Sequence, residues 1–310
     1  MSSQETVNEY NQENITHAGT KVLLVQVNCA VNVPLALTAI IGNSLVLHVA
    51  RKSRTLRSPS LFLLCGLAMS DLAVGTVVQP LFIANDLISL HSRSQRLKQF
   101  FMDVYNTFGF CLCGISLCTV TAIGVDRLIA VERSLHYPSL VTIPRVRRVL
   151  IAIWTICLVL AIACLWQHKI VLILLGTVIC VCLCISTICH VKIYRTVRYH
   201  QNAIQLQFLT VETNTAHVPG YVNKVTSLKM SSFNAFIVFL VLIICYSPYL
   251  VVFYVVTSVN PTDKEIARSL ASTIVFINSS LNPFLYCWRI CEIREAVKQT
   301  CRKFVCCLTN

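Results

Sequence analysis

The stretch Asn282-Pro283-Phe284-Leu285-Tyr286 stands near the end of the last long apolar segment of this chain, residues 269–288. A proline in a membrane helix removes a backbone donor and frees a carbonyl, which lipid cannot satisfy. Such a defect is tolerated where the helix faces protein or buried water. The stretch therefore predicts a membrane helix that packs inside a bundle and can bend.

The composition of the chain indicates its solvent. Of its 310 residues, 55% are hydrophobic and 13% are charged, whereas soluble proteins carry about 25% charged residues. Seven apolar stretches reach the roughly 20 residues that cross a bilayer as a helix: residues 22–50, 59–85, 104–125, 149–168, 170–191, 230–262 and 269–288. We predict an all-α membrane protein, a seven-transmembrane helix bundle, with a hairpin at residues 167–169 between the fourth and fifth spans.

Lysine and arginine set the predicted orientation. With the N-terminus outside, 19 of the 26 fall in inner segments and 7 in outer ones, which is a strong positive-inside bias. Topology thus explains the net charge of +13 without nucleic acid, and the basic inner face suits anionic lipid or an acidic partner protein. We expect an extracellular tail at 1–21, the bundle at 22–288 and a membrane-surface segment at 289–310 of a multi-pass plasma-membrane protein.

Two kinds of modification site are predicted. Asn14-Ile15-Thr16 is a glycosylation acceptor in the outer tail. Most of the seventeen cysteines lie inside spans as small hydrophobic residues, so no disulfide is predicted. Cys306 and Cys307 follow a predicted amphipathic surface helix and are palmitoylation candidates. The apolar face of that helix is formed by Ile290, Ile293, Val297, Cys301 and Phe304.

Polar residues inside the spans predict a cation site. Asp71 lies within the second span, where a charged carboxylate costs about 2.5–3.5 kcal/mol. Asn278 and Asn282 share one face of the last span, and Ser116 lies halfway along the third. These four side chains predict a site for Na⁺ or a proton. The alternative is a buried acid held by hydrogen bonds alone.

Two further motifs predict a moving inner end. Asp126-Arg127 lies at the end of an inward-facing stripe of the third span that starts at Gly109, roughly 27 Å away along the helix. In the sixth span Cys245-Tyr246-Ser247-Pro248 places a proline in mid-membrane, which kinks the helix and lets its inner half swing. A static kink is the alternative.

Together these motifs resemble those of the rhodopsin-like (class A) G-protein-coupled receptors over nearly the whole chain. The matching residues are Gly42-Asn43-Ser44, Leu67-Ala68-Met69-Ser70-Asp71-Leu72, Asp126-Arg127, Trp154, Cys245-Tyr246-Ser247-Pro248 and Asn282-Pro283-Phe284-Leu285-Tyr286.

The resemblance implies roles for these residues. Asp71, Ser116, Asn278 and Asn282 would form a sodium pocket, with no other metal or cofactor. Arg127 would meet a heterotrimeric G protein after activation, with Tyr194 and Tyr286 closing over it. Leu135 would insert into the G protein. The helix-six switch would consist of Cys245, Tyr246 and Pro248, and Pro283 would take part in activation.

The chain also departs from the usual pattern of this family. Leu128 replaces the tyrosine after Asp-Arg, and Tyr246 replaces a tryptophan. Ser186 stands where the fifth span has a proline, and Met102 where a cysteine joins the third span to the outer loop. The missing cysteine and proline, with the short outer loop, resemble the melanocortin, adenosine and lipid-receptor branch, and no particular ligand is assigned.

Candidate ligand-pocket residues leave two ligand classes open. A small monoamine is disfavoured because Gly109 stands where amine receptors have aspartate, and retinal is excluded because the last span lacks lysine. An acidic, polar rim would favour a cationic ligand such as a peptide, whereas an apolar lining would suit a lipid. The pocket candidates are Asp86, Asp103, Asn106, Gly109, Phe110, Tyr249 and Phe253.

The rival class is a seven-span transporter or channel. Such proteins usually show symmetry between halves or broken helices at matched positions, and neither pattern occurs here. An enzyme is not predicted, because the sequence shows no nucleophile-and-base set or metal-spaced histidines. His190 is interpreted as an inner-face surface residue.

Overall fold

The computed structural model describes residues 2–52, 58–163, 165–166, 168–211, 236–237, 239–252, 261–289, 294–295, 297–299 and 302. Its regular elements are α1 (Ser2–Lys52), α2 (Pro59–Ala73), a π-helical turn (Val74–Val78), α3 (Gln79–His91), α4 (Gln95–Glu132), α5 (Tyr137–Leu140), α6 (Ile143–Ala163), α7 (His168–Val211), α8 (Phe239–Val252) and α9 (Pro261–Arg289). Every regular element in these ranges is helical, which confirms the predicted all-α class.

Five helical segments are apolar and long enough to cross a membrane: Gly19–Lys52, Pro59–His91, Gln95–Glu132, Ile143–Ala163 and Gly176–Tyr199. The first three segments contain the first three predicted spans, and the last two segments overlap the fourth and fifth. The apolar helix α8 is shorter, and much of the sixth predicted span lies outside the described residues. The seventh predicted span lies within α9, whose first turns carry charge. These helices agree with the predicted seven-helix bundle.

The predicted hairpin between the fourth and fifth spans is present. Helix α6 ends at Ala163 and α7 begins at His168. The backbone N–H groups of Leu165 and Trp166 donate to the carbonyls of Ile162 and Ala163, at 3.1 and 3.2 Å. The fourth span thus ends earlier than residue 168, because the turn starts before the polar residues that marked it in the sequence.

Helix α1 is longer than the first predicted span. It begins at Ser2 and has 51 residues, about 76 Å at 1.5 Å per residue, whereas a whole bilayer measures about 40–45 Å. The polar residues of the predicted tail 1–21 therefore belong to the same helix as the span. No proline interrupts this helix before Pro34.

Helix α4 is the centre of the bundle, because it packs against α2, α3, α6 and α7. Its Ile115 and Leu117 are fully buried. Close approach between other helices depends on glycine: a Cβ at Gly42 of α1 would lie 2.7 Å from Cγ of Pro283 in α9. Since a proline ring cannot turn away, we expect alanine there to cost about 1–3 kcal/mol through overpacking.

The π-helical turn at Val74–Val78 divides the second span. A π turn takes up one more residue than an α turn, so the residues after it are rotated by about 100° relative to a continuous α-helix. Gln79 and Asp86 of α3 are consequently brought onto the side of the span that carries Asp71. All three are buried.

We name the two ends of the bundle after the predicted orientation. The inner end carries Asp126 and Arg127 at the end of α4. The outer end carries His91 of α3 and Gln95 of α4.

Candidate functional site

Asp71 of α2 is the most deeply placed carboxyl of the bundle and is fully buried. Ser116 of α4 donates from Oγ to Asp71 Oδ1 at 2.9 Å. From α9, Ser279 donates to the same oxygen at 2.8 Å, and Asn282 donates from Nδ2 to Oδ2 at 2.6 Å. We name these four residues the Asp71 centre. It joins three helices through one carboxylate.

One predicted member of this group has a different place. Asn278 is buried, but its Nδ2 has no hydrogen-bond partner among the described residues. The neighbouring Ser279, which the sequence analysis missed, donates to Asp71 instead. Its only signal in the sequence was its position between the two asparagines.

The Asp71 centre has the donor set that Na⁺ requires. Hard cations bind carboxylate, hydroxyl and amide oxygens, and this group offers all three kinds. The Oδ1 atom of Asn282 is buried without a partner among the described residues, so it is available as a ligand. An ion there would be held by Asp71, Ser116, Ser279 and Asn282.

Asp126 and Arg127 form a second polar group at the inner end of α4. Arg127 contacts Asp126 through Nη2 at 2.5 Å and Nε at 3.0 Å. Ser60 of α2 donates to Asp126 Oδ2 at 2.8 Å, and Tyr137 of α5 donates to Oδ1 at 2.7 Å. Arg127 also contacts the Ser60 hydroxyl. We name these four residues the inner clasp.

Tyr137 suits its role as a donor in the clasp. Burial, together with the nearby Asp126 carboxylate, raises the pKa of this phenol above its ordinary value, against the opposing effect of its contact with Ser60. The phenol therefore keeps its proton at neutral pH and donates it to Asp126. The clasp thereby ties α2, α4 and α5 together.

The other predicted coupling residues are distributed around the inner half. Leu135 is 85% exposed in the turn after α4. Tyr194 of α7 is exposed, with the Arg198 guanidinium 5.6 Å from its ring centroid. Tyr286 is buried in the main core, and Pro283 packs against Gly42. Tyr194 and Tyr286 thus do not form part of the inner clasp.

The predicted helix-six switch lies inside the bundle. Cys245 and Tyr246 are each 3% exposed, and the Tyr246 hydroxyl donates to the carbonyl oxygen of Cys113 in α4 at 3.1 Å. Before Pro248, the Ser247 hydroxyl donates to the carbonyl of Ile243 at 2.5 Å. Tyr246 thereby ties α8 to α4.

A cavity of about 70 Å³ lies between α4, α7, α8 and α9. The part of its wall that the structure describes is largely apolar and contains no charged side chain. The predicted pocket residues Asn106, Gly109, Phe110 and Tyr249 all line it. The remaining lining residues are Tyr105, Cys113, Gly114, Leu117, Gly176, Val178, Ile179, Tyr246, Leu250, Ser272, Val275 and Phe276.

Two acids of the predicted rim do not line this cavity. Asp86 is buried and accepts a hydrogen bond from Ser269 of α9 at 2.6 Å. Asp103 accepts from Gln99 one turn earlier in α4 at 2.8 Å. Neither carboxyl therefore contributes to the lining of this cavity, because both are held by neighbouring side chains away from it, and the acidic rim stays a prediction. Phe253 lies outside the described residues.

The departures from the usual receptor pattern have structural partners. Ser186, in place of the fifth-span proline, is buried and donates to Oγ1 of Thr121 in α4 at 3.2 Å. His190, interpreted as a surface residue, is instead 8% exposed and stacks on Phe239 of α8, with ring centroids 4.6 Å apart. That interpretation was wrong because α8 covers this face of α7.

The modification sites are only partly described. Asn14 lies in the first turns of α1, while Cys306 and Cys307 lie outside the described residues. In the predicted surface helix, residues 294–295, 297–299 and 302 are helical, and Val297 packs against the main core. The cysteines of the described part are free thiols.

Comparison with known families gives one match. Residues 42–170 match the family model described as 7 transmembrane receptor (rhodopsin family). The matched segment runs from the last three turns of α1 to the first residues of α7 and includes Asp71, Ser116 and the inner clasp. This segment is similar to the rhodopsin family of seven-transmembrane receptors.

Proposed function

We propose that this protein is a G-protein-coupled receptor of the plasma membrane, with its N-terminus outside and a heterotrimeric G protein as its inner partner. The observation that carries the proposal is the layout of α4. Gly109 lines the cavity in the outer half of this helix, and Arg127 holds the inner clasp about 27 Å away. One helix thereby connects a cavity in the outer half of the bundle with a basic inner surface.

We further propose that the ligand is uncharged and largely apolar, such as a lipid. Among the described residues no charged side chain lines the cavity, so a cationic group there would lose its hydration without gaining a counter-ion from them. The phenols of Tyr105 and Tyr249 and the amide of Asn106 can orient one polar group of the ligand. This favours the lipid over the cationic peptide among the two classes that the sequence leaves open.

The cavity must widen to admit such a ligand. A volume of about 70 Å³ is well below the roughly 300–1,000 Å³ of common ligand pockets. Tyr246 stands at its wall and ties α8 to α4, so a ligand that displaces this phenol would release α8. We propose that this release opens the inner end, where Leu135 and Arg127 then meet the G protein.

Sodium would act as a negative regulator at the Asp71 centre. An ion bound there holds α2, α4 and α9 together, which opposes any rearrangement of these helices. The proposal assigns Na⁺ to this group because its oxygen ligands and buried carboxylate match a hard cation.

Nucleotide exchange on added G proteins tests the receptor function. Membranes containing the protein should accelerate GTPγS binding to at least one G-protein class, and Arg127→Ala should reduce this rate at least tenfold, a loss of about 1.4 kcal/mol. Arg148→Ala, an exposed arginine of α6, is the matched control and should leave the rate unchanged. Equal rates for both variants and the parent protein would contradict the proposal.

A further inference from the structure

Asp86 is a second buried carboxyl, remote from the Asp71 centre. It lies in α3 near the outer end and is 9% exposed. Its Oδ2 accepts from the Ser269 hydroxyl at 2.6 Å and its Oδ1 from Asn85 Nδ2 at 3.2 Å. Asp71 is fifteen residues earlier, roughly 22 Å away along the helix. Within the described part of the protein, the two groups share no hydrogen-bonding residue.

A chain of amides and hydroxyls continues from Asp86 into the interface between α1 and α9. Asn28 donates from Nδ2 to the Ser269 hydroxyl at 2.8 Å. Thr273 donates to Asn28 Oδ1 at 2.8 Å, and Asn32 donates from Nδ2 to Thr273 Oγ1 at 2.8 Å. We name Asp86, Ser269, Asn28, Thr273 and Asn32 the outer polar chain.

Two buried amides, one in α1 and one in α3, have polar atoms without a hydrogen-bond partner among the described residues. Asn32 is fully buried, and its Oδ1 has no hydrogen-bond partner among the described residues. Gln79, two turns before Asp86 in α3, is fully buried with neither amide atom bonded within the described part of the chain. Buried polar groups in native proteins are nearly always satisfied by protein, water or an ion. The unbonded Oδ1 of Asn32 is therefore available to water or to an ion.

The charge of Asp86 favours a cation over water as the species bound beside it. Two neutral donors satisfy only part of a carboxylate that can accept about four hydrogen bonds, and a buried charge requires a counter-charge. Among the described residues no lysine, arginine or histidine forms an ion pair with Asp86. Lys21 of α1 instead pairs with Glu265 of α9 at 3.5 Å.

We propose that the outer polar chain is a binding site for a monovalent hard cation, Na⁺, centred on Asp86. Its ligands are oxygens: the Asp86 carboxylate, the Ser269 hydroxyl and the amide oxygens of the chain. Such oxygens suit a hard cation rather than a soft transition metal. The described residues also contain no group of three or more His, Cys, Asp and Glu side chains that could hold a metal. The ion joins α1, α3 and α9 at the outer end.

Thermal unfolding of the purified receptor in detergent tests this site. NaCl is titrated against choline chloride at constant ionic strength and pH. The titration is done in an Asp71→Asn background, which removes the carboxylate of the Asp71 centre. Na⁺ should still raise Tm by several degrees in this background, because an ion that binds only the folded state stabilises it. Adding Asp86→Asn should abolish this rise. Adding Ser269→Ala, which keeps every charge, should shift its midpoint at least threefold to higher Na⁺.

Asp103→Asn is the matched control, because Asp103 is a carboxylate of the outer end that is not part of the outer polar chain. This variant should retain the full rise in Tm. Three outcomes would overturn the proposal: no Na⁺-specific rise in the Asp71→Asn background, a rise that survives Asp86→Asn, or a Tm that follows pH and ignores Na⁺. The last would assign a proton to Asp86. Because the readout is stability, the test is independent of ligand and G protein.

Discussion

The Asp71 centre and the inner clasp stabilise a buried carboxylate in different ways. Each surrounds one buried carboxylate with side chains from three helical elements. Asp126 has a permanent cation, since Arg127 contacts it at 2.5 Å. Among the described residues, the donors to Asp71 are the neutral side chains of Ser116, Ser279 and Asn282. The counter-ion is part of the polypeptide in the clasp, whereas at the proposed sodium site of the Asp71 centre it would come from solution.

This difference assigns the two groups distinct roles. A clasp made of covalently attached partners opens when its helices separate, so it responds to mechanical rearrangement. A centre that depends on a solution ion responds to the concentration of that ion. The first is suited to a latch at the G-protein surface, and the second to a brake in the middle of the bundle.

The largest expected effect comes from Asp71→Asn. The amide keeps the volume but removes the charge that holds Na⁺, so basal GTPγS exchange should lose its inhibition by Na⁺, with at least a tenfold higher half-inhibitory concentration, or about 1.4 kcal/mol. Exchange is measured in NaCl and in choline chloride. Asp103→Asn serves as the control. An unchanged inhibition by Na⁺ in Asp71→Asn would contradict the proposal that Na⁺ acts at the Asp71 centre.

The clasp should respond to the loss of its neutral donors. Tyr137→Phe and Ser60→Ala each remove a hydrogen bond to Asp126 worth about 1 kcal/mol, so each should raise ligand-free exchange about fivefold. The measurement is basal exchange at equal surface expression. Ser139→Ala, whose hydroxyl bonds only the carbonyl of His136, is the control. If Tyr137→Phe and Ser60→Ala had the same basal exchange rate as Ser139→Ala, the latch role of the inner clasp would be contradicted.

The smallest effect distinguishes two neighbouring residues of α9. Ser279→Ala removes a donor to Asp71 at 2.8 Å, whereas Asn278→Ala removes an amide whose Nδ2 has no partner within the described chain. We expect Ser279→Ala to weaken Na⁺ inhibition about threefold, near 0.6 kcal/mol, and Asn278→Ala to weaken it less. The reverse order would show that Asn278 is the ligand, as the sequence predicted.

The sequence predicts the bundle because the bilayer imposes a simple rule. A span of about 20 apolar residues must satisfy its backbone internally, so it becomes a helix. The polar residues 167–169 predict the hairpin, because the two apolar stretches beside them are together too long for one crossing. Asp71, Ser116 and Asn282 can also be grouped from the sequence, because polar side chains inside a membrane need one another.

Rotation and close packing lie beyond the sequence. Ser279 and Asn278 are adjacent and both polar, and only the packing of α9 against α2 selects which one reaches Asp71. The turn at Val74–Val78 likewise rotates α3, so that Asp86 meets Ser269 of α9 instead of the cavity. A helix face shifts by about 100° for each inserted residue, and that insertion depends on contacts between helices. Apolar periodicity therefore determines that these helices exist, whereas tertiary packing decides which side chains meet.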